Sequence, residues 1–271
     1  MRLLSYPIFS YNVIMFTIAT ATYVAKFPTP IFNTQQISFH TLPLKKDNQG
    51  RLMEMESIAF PGTKFKCFQV FNNLLQVETN EYPSSSPLYV DSRFLQETST
   101  ETLERIITLP SSQEILSWME ARVGLRYFWG GNWDIGIPQL LEFYPVLKNT
   151  SSEDQDDAIC RGVDCSGLLY QATNGYTPRN TSGLASFGQE LPIQHLPLEE
   201  IRAQLKPLDL LVWKGHVVFV RSATTLIESR IEGGVRISDF DQRYPEILDL
   251  MKKENKTLYI RRWHPDSLHQ N

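Results

Sequence analysis

The stretch Gly162-Val-Asp-Cys-Ser-Gly-Leu-Leu-Tyr170 decides the fold. Its apolar residues keep helical spacing, and Asp164 is a suitable N-cap, so we predict a helix with Cys165 in the first turn, ending at Asn174-Gly175. The backbone N–H groups and the helix dipole favour a thiolate there. Cys165 is therefore a candidate nucleophile. The alternative is a small, inert core cysteine.

The stretch Leu208–Val220 supplies a candidate base. Two runs rich in Val, Leu and aromatic residues flank Lys214-Gly215, which predicts a hairpin with His216 opening its second strand. Glu228 follows twelve positions after His216 (228 − 216), room for a strand, a turn and an antiparallel return to the imidazole. Such a Cys–His pair activates thiols in cysteine hydrolases. A surface histidine and a solvated glutamate are the alternatives.

Four successive motifs resemble those of the NlpC/P60 cysteine peptidases of the cell wall: Tyr127-Phe-Trp-Gly-Gly131, Asp164-Cys-Ser-Gly167, Pro207-Leu-Asp209 and His216-Val217. The resemblance covers roughly 109–263 and implies a papain-like α+β domain. It also implies that Cys165 attacks an amide of the peptidoglycan stem peptide and that His216 is the base. The third residue of this family is usually histidine. Glu228 takes that position here, and its carboxylate is expected to raise the pKa of His216.

The N-terminal half has a different pattern. Short β-like runs alternate with turn residues over 25–95, which predicts a small barrel or a generic all-β module. Beside the downstream motifs, residues 23–97 resemble the bacterial SH3-like (SH3b) domain that precedes certain NlpC-type enzymes and reads the free amino end of the stem peptide. The polar stretch that follows predicts a boundary, with the catalytic domain over 109–265. The expected fold is thus a papain-like domain behind a small SH3-like β-barrel.

Two tyrosines are expected to contact the substrate. Tyr82, in Glu81-Tyr82-Pro83, resembles the residue that reaches the pocket for the substrate amine, although a turn tyrosine is often simply exposed. Tyr127 precedes paired glycines, a pattern typical of a packed turn. By resemblance it also contacts the substrate near the nucleophile.

The stretch Thr177-Pro-Arg-Asn-Thr181 resembles a family segment that usually contains Pro-Arg-Asp-Ser. Asn180 replaces its acid and Thr181 its serine, so one negative charge is lost. Asp164 and Ser166 would then carry more of the recognition of an ammonium group. A capped loop leading into another helix is the alternative interpretation.

The segment 132–163 is longer than the family needs to join its motifs. It begins apolar and aromatic over 133–147 and turns polar and acidic over 149–157. Long ordered loops in compact domains are often functional, so a groove-lining lid is one interpretation. A surface insertion is the other.

The N-terminal stretch 1–22 is apolar but contains a proline and several polar residues. It is either a poor secretory signal, or excess sequence ahead of a true start at Met15. We expect a cytoplasmic protein, or a periplasmic or secreted one if this stretch is a signal. No apolar run reaches the ~18 residues that a membrane span needs.

The composition of the chain limits the partners and cofactors that we expect it to bind. The net charge is −4 and no basic cluster carries interleaved aromatics, so nucleic acid is not expected to bind. The chain lacks CxxC and HExxH motifs and its five histidines are scattered, so we expect no metal and no other cofactor. Three cysteines cannot all pair within one chain, which favours free thiols.

These patterns predict a hydrolase that cuts the γ-D-glutamyl–diamino acid bond of stem peptides, especially those with a free N-terminal L-alanine. The resemblance implies that bond and that preference. The alternatives are an amidase that cuts between sugar and stem, an acyltransferase, an inactive protein that binds wall fragments, and an interaction protein that recruits a partner through the long insertion.

Overall fold

The computed structural model describes residues 21–39, 44–145 and 151–268. Its first part is an antiparallel sheet with seven strands: β1 Ala21–Ala25, β2 Thr29–Phe32, β3 Met55–Ala59, β4 Lys64–Phe71, β5 Leu74–Glu78, β6 Leu88–Asp91 and β7 Leu95–Thr98. The strand order is β3-β2-β6-β5-β4-β1-β7. Because β3 and β7 lie at opposite ends of that order, the sheet is open. The structure therefore does not show the small SH3-like barrel predicted from the sequence, because the sheet is not closed.

The edge at β3 is covered by a side chain. Asn132 accepts a hydrogen bond from the Ile58 N–H at 2.9 Å and donates one to the Ile58 carbonyl at 2.8 Å. It therefore satisfies the backbone groups that another strand would otherwise take. This contact holds β3 against the second part of the chain.

The second part contains a two-stranded ribbon and a six-stranded antiparallel sheet. These comprise β8 Asn132–Trp133, β9 Gly162–Val163, β10 Gln189–Glu190, β11 Leu210–Trp213, β12 His216–Ser222, β13 Thr225–Arg230, β14 Gly234–Asp239 and β15 Tyr259–Arg262. The order of the larger sheet is β10-β15-β11-β12-β13-β14. The hairpin predicted at Lys214-Gly215 is confirmed, with β13 beside β12.

The described residues form eight α-helices: α1 Ser112–Glu120, α2 Gln139–Phe143, α3 Ser152–Ala158, α4 Cys165–Ala172, α5 Thr181–Leu184, α6 Leu198–Gln204, α7 Phe240–Glu254 and α8 Pro265–Leu268. Of these, α4 and α7 pack against the six-stranded sheet. Side chains alternate across β12, so Val217 and Phe219 pack in the cluster that contains α4, whereas Val218 packs with α7. The architecture is therefore a mixed α/β fold with α4 and α7 on opposite faces of the sheet.

The long insertion packs against the first sheet. Its side chains Ile137, Leu140 and Tyr144 are buried in the same apolar cluster as that sheet. Asp157 pairs with Lys46 from the first part and with Arg126 from the second. The insertion is therefore part of the joint between the two parts of the chain.

Most of the N-terminal stretch 1–22, including Met15, lies outside the described residues. Within 21–39, 44–145 and 151–268, no helix combines the length and the apolarity needed to cross a bilayer. The same ranges contain no cluster of three or more His, Cys, Asp or Glu side chains arranged for a metal ion.

Candidate active site

Cys165 is the first residue of α4. Asp164 caps this helix, and its Oδ1 accepts a hydrogen bond from the Gly167 N–H at 2.7 Å. A Cβ at Gly167 would collide with the Gly131 carbonyl, so only glycine lets the helix start approach the Gly130-Gly131 turn. The Cys165 side chain thus lies at the positive end of the helix dipole, in a residue that is 6% exposed.

His216 opens β12 directly after the Gly215 turn. Its Nε2 lies 2.8 Å from Glu228 Oε2 on β13. Nδ1 is therefore the ring nitrogen that remains available to Cys165, which lies close enough to raise the pKa of the ring. His216 thus has both a carboxylate and a thiol as neighbours.

Glu228 is buried, with 1% of its side chain exposed. Arg243 of α7 donates hydrogen bonds to both Glu228 oxygens, with Nε 2.7 Å from Oε1 and Nη2 3.0 Å from Oε2. Burial opposes ionisation, but the hydrogen bonds and charges of His216 and Arg243 outweigh it and lower the pKa of Glu228 to about 2. The carboxylate is therefore charged throughout the physiological range.

The imidazole responds to its two neighbours. Burial by itself lowers the pKa of His216, whereas the charge and hydrogen bond of Cys165 and those of Glu228 raise it to about 9. A raised imidazole pKa favours the charged ring beside a thiolate. A charged imidazole beside a cysteine is the arrangement that activates the nucleophile in cysteine hydrolases.

A cavity of about 220 Å³ lies at Cys165. Both parts of the chain line it, through Asn33, Met53, Met55, Glu56, Tyr127, Trp129, Gly130, Asp164, Cys165, Ser166, Arg179, Asn180, Thr181, Ser182 and Gly215. None of the described residues in 133–163 belongs to this lining, so the insertion forms no lid over the cavity there. The first sheet closes the side of the cleft nearest β3.

Asp164 and Ser166 line the cavity, but their polar atoms have a buried partner. Arg179 places Nη2 2.7 Å from Asp164 Oδ2 and donates from Nη1 to Asp164 Oδ1 and to the Ser166 hydroxyl, each at 3.0 Å. The Gly130 N–H also donates to the carboxylate. The charge expected to meet a substrate ammonium is thus already neutralised within the protein. Sequence reasoning did not include Arg179 among the site residues.

Tyr82 is not among the residues that line this cavity. Its hydroxyl donates to Glu56 Oε2 at 2.6 Å and accepts from Asn180 Nδ2 at 3.0 Å. Burial and this bond to Glu56 raise the Tyr82 pKa, so the phenol stays protonated. Tyr82 therefore orients a carboxylate instead of contacting the cavity.

Glu56 is a second cavity residue, after Arg179, that the sequence did not indicate. It lies on β3, where Asn33 donates to its Oε1 at 2.6 Å, and it lines the cavity that contains Cys165. The only sequence signal was a polar residue in the alternating run Met53-Glu-Met-Glu-Ser57, which does not distinguish Glu56 from Glu54. Glu56 brings a carboxylate to the lining of the cavity that contains Cys165.

The other two predicted contacts lie at the cavity. Tyr127 lines it together with Cys165, and burial together with the charges of Asp164 and Cys165 raises the pKa of Tyr127. Thr181 also lines it, and its hydroxyl accepts a hydrogen bond from the Gly215 N–H at 3.3 Å. Thr181 thereby links the start of α5 to the turn that carries His216.

No protein-family model matches this chain, and no curated protein matches it. Among solved structures, it is similar to an NlpC/P60 family protein from Bacillus cereus, with 16% identity over 92% of this chain and 65% of that chain and a TM-score of 0.38. NlpC2 from Trichomonas vaginalis aligns with 13% identity over 91% and 73% of the two chains and a TM-score of 0.34.

RipD from Mycobacterium tuberculosis, described as a non-catalytic NlpC/p60 domain protein adapted to peptidoglycan binding, aligns with 18% identity. That alignment covers 56% of this chain and 95% of RipD, with a TM-score of 0.35. In the alignment with the Bacillus cereus protein, this chain spans about two thirds of the length of that protein. Because all three TM-scores lie below 0.5, we base the functional proposal on the geometry of the site.

Proposed function

We propose that this protein is a cysteine peptidase that hydrolyses the γ-D-glutamyl–diamino acid bond of peptidoglycan stem peptides. The observation that carries the proposal is the His216–Glu228 pair beside Cys165, which lines a small cavity. The motif resemblance in the sequence supports the choice of bond. The carboxylate of Glu56 in the cleft supports the choice of peptides with a free amino terminus.

The reaction would proceed through an acyl-enzyme. The Cys165 thiolate attacks the γ-carbonyl carbon of D-glutamate, and the C–N bond breaks as His216 gives its proton to the departing amine. Water then attacks the thioester, with His216 accepting its proton, and releases the new carboxylate and the thiol. Glu228 keeps the imidazole oriented in both steps.

The N-terminus of α4 would stabilise the oxyanion of each tetrahedral intermediate. By helix geometry the first N–H groups, those of Cys165 and Ser166, have no acceptor within the helix. Oxyanion donors are worth about 2.7–4 kcal/mol each in well-studied hydrolases. The same N–H groups also favour the thiolate before attack.

Glu56 supports a preference for substrates with a free amino terminus. Its carboxylate is held by Asn33 and Tyr82 and lies in the cavity lining with Cys165. An ammonium group is the natural partner of an oriented carboxylate. Because Arg179 already neutralises Asp164, Glu56 is the acid that we assign to the substrate amine.

The test is mass spectrometry of L-Ala-γ-D-Glu-meso-diaminopimelate after incubation with the protein, beside the same peptide acetylated on alanine. We expect release of the L-Ala-γ-D-Glu dipeptide from the free peptide alone. Cys165→Ala is expected to abolish turnover, and Cys67→Ala, which alters a buried cysteine of the first sheet, serves as the matched control.

Other outcomes would select the alternatives. Cleavage of intact glycan strands between sugar and stem, without cleavage of the free peptide, would support an amidase. Transfer of the acyl group to an added amine would support an acyltransferase. Binding of the peptide without turnover by the wild-type protein would reject the peptidase and leave a protein that binds wall fragments.

A further inference from the structure

Arg243 lies behind the proposed catalytic residues. It belongs to α7, on the face of the sheet opposite α4, and its side chain is 11% exposed. Its fork meets Glu228 through two oxygens at 2.7 Å and 3.0 Å, while Nη1 lies 3.1 Å from Glu246. A nearly buried, bidentate contact of this kind fixes the carboxylate in position and in plane.

The negative charge of Glu228 must be balanced if His216 is to release its proton. A buried carboxylate next to an imidazole holds the ring in its charged form. Without a compensating cation, His216 would keep its proton too firmly to deliver it to a leaving amine. Arg243 lies on the far side of the same carboxylate and competes with the imidazolium for its charge.

The charged and titratable groups around this carboxylate come from five elements. On its own strand, Arg230 Nη1 lies 3.9 Å from Oε1. Arg236 of β14 is the Cα partner of Glu228, with an exposed side chain. His216 faces it from β12 with the Cys165 thiol of α4 beyond, and α7 presents Arg243 with Glu246 behind it.

We infer that Arg243 is a positioning residue for the proposed reaction, holding Glu228 against His216 and limiting how strongly the carboxylate retains the imidazolium proton. This inference rests on the proposed function for its catalytic meaning. The influence of Arg243 on His216 and Cys165, through Glu228, can nevertheless be tested without any substrate.

The test is the pH dependence of Cys165 alkylation by iodoacetate, followed by peptide mass in the full-length protein. Iodoacetate is an anion, so its reaction with the thiolate is faster while the neighbouring imidazole is charged. Arg243→Gln removes the charge but keeps a hydrogen-bond donor. The pH profile of the alkylation rate has a midpoint on its basic side, where His216 loses its proton. In Arg243→Gln we expect this midpoint to move upward by roughly one pH unit, because the charge of the Glu228 carboxylate is no longer compensated. Arg202→Gln is the matched control. Arg202 forms an ion pair near the surface with Asp241, which lies on α7 as Arg243 does.

Arg243→Lys provides the second variant. It keeps the charge but not the fork, so we expect a midpoint close to that of the wild type and a maximum alkylation rate several-fold lower. Profiles and rates identical to the wild type in both variants would overturn the inference. If Arg243→Gln does not fold, a wild-type profile and rate in Arg243→Lys would overturn it alone.

Because alkylation involves no peptide, its result is independent of the substrate. A protein that cleaves no stem peptide, but whose alkylation profile shifts in Arg243→Gln, would refute the proposed function and leave the positioning role intact. A protein that cleaves the peptide with unshifted profiles would do the reverse.

Discussion

The guanidinium of Arg179 faces the carboxylate of Asp164, with Nη2 2.7 Å from Oδ2, immediately before the proposed nucleophile in the chain. Both side chains are almost completely buried. The Arg179 fork also reaches the Ser57 hydroxyl on β3 through Nε at 3.0 Å. One ion pair therefore ties the cap of α4 to the first sheet.

Removing Arg179 is expected to destabilise the fold. Arg179→Met leaves Asp164 as an uncompensated buried charge, which costs about 3–5 kcal/mol. Urea denaturation measures this change in the free energy of unfolding. Arg202→Met breaks the exposed pair with Asp241 and is expected to cost less than about 1 kcal/mol. Equal losses in the two variants would contradict the structural role of Arg179.

Glu56→Gln is expected to weaken binding of peptides with a free amine. Losing a charge-assisted hydrogen bond costs about 1.5–3 kcal/mol, which corresponds to roughly a 10- to 100-fold increase in KM. Steady-state kinetics on the free tripeptide measures this increase, with Glu78→Gln on the exposed side of β5 as the control. An unchanged KM in Glu56→Gln would remove this carboxylate from substrate recognition.

His216→Ala and Glu228→Gln are expected to differ in severity. Without His216 nothing accepts the thiol proton, so turnover should be almost lost. A glutamine at 228 can still hydrogen-bond the ring and keep part of its orientation, so part of kcat should be retained. Rates are compared by kcat/KM together with a check of the fold by circular dichroism. Complete and equal losses would show that the carboxylate charge itself is essential.

The pH profile follows from the His216–Glu228 pair. The pKa of His216 rises from an ordinary 6.5 to about 9, so its contribution to stability is complete below 6.5 and disappears as the pH rises through about 9. The pKa of Glu228 falls from an ordinary 4.5 to about 2, so its contribution is present above 4.5 and disappears as the pH falls through about 2.

We therefore expect kcat/KM to decline as the pH rises through about 9, where the imidazolium is lost. Thermal stability measured over the same range should decline with it. A basic limb near the ordinary histidine value of 6.5 would mean that Glu228 and Cys165 do not control the ring in solution.

The sequence alone predicted the local features of the site. The capped helix that begins at Cys165, the turn before His216 and the return strand with Glu228 depend on neighbours in the chain, through helix spacing, capping and strand pairing. These are interactions over a few residues, so composition and order are enough to indicate them. The open first sheet was not predicted, because closure depends on what covers the edge of β3.

Only the tertiary structure decided which charges face the cleft. Glu56 comes from β3, Arg179 neutralises Asp164, and Arg243 reaches Glu228 from α7. Each pairing joins segments that approach only when the sheets and helices pack, and a charged residue's neighbours are set by that packing and not by its position in the chain. The sequence could thus indicate the candidate nucleophile and base, whereas the carboxylate proposed to bind the substrate amine and the balance of charge around Glu228 follow from the assembled fold.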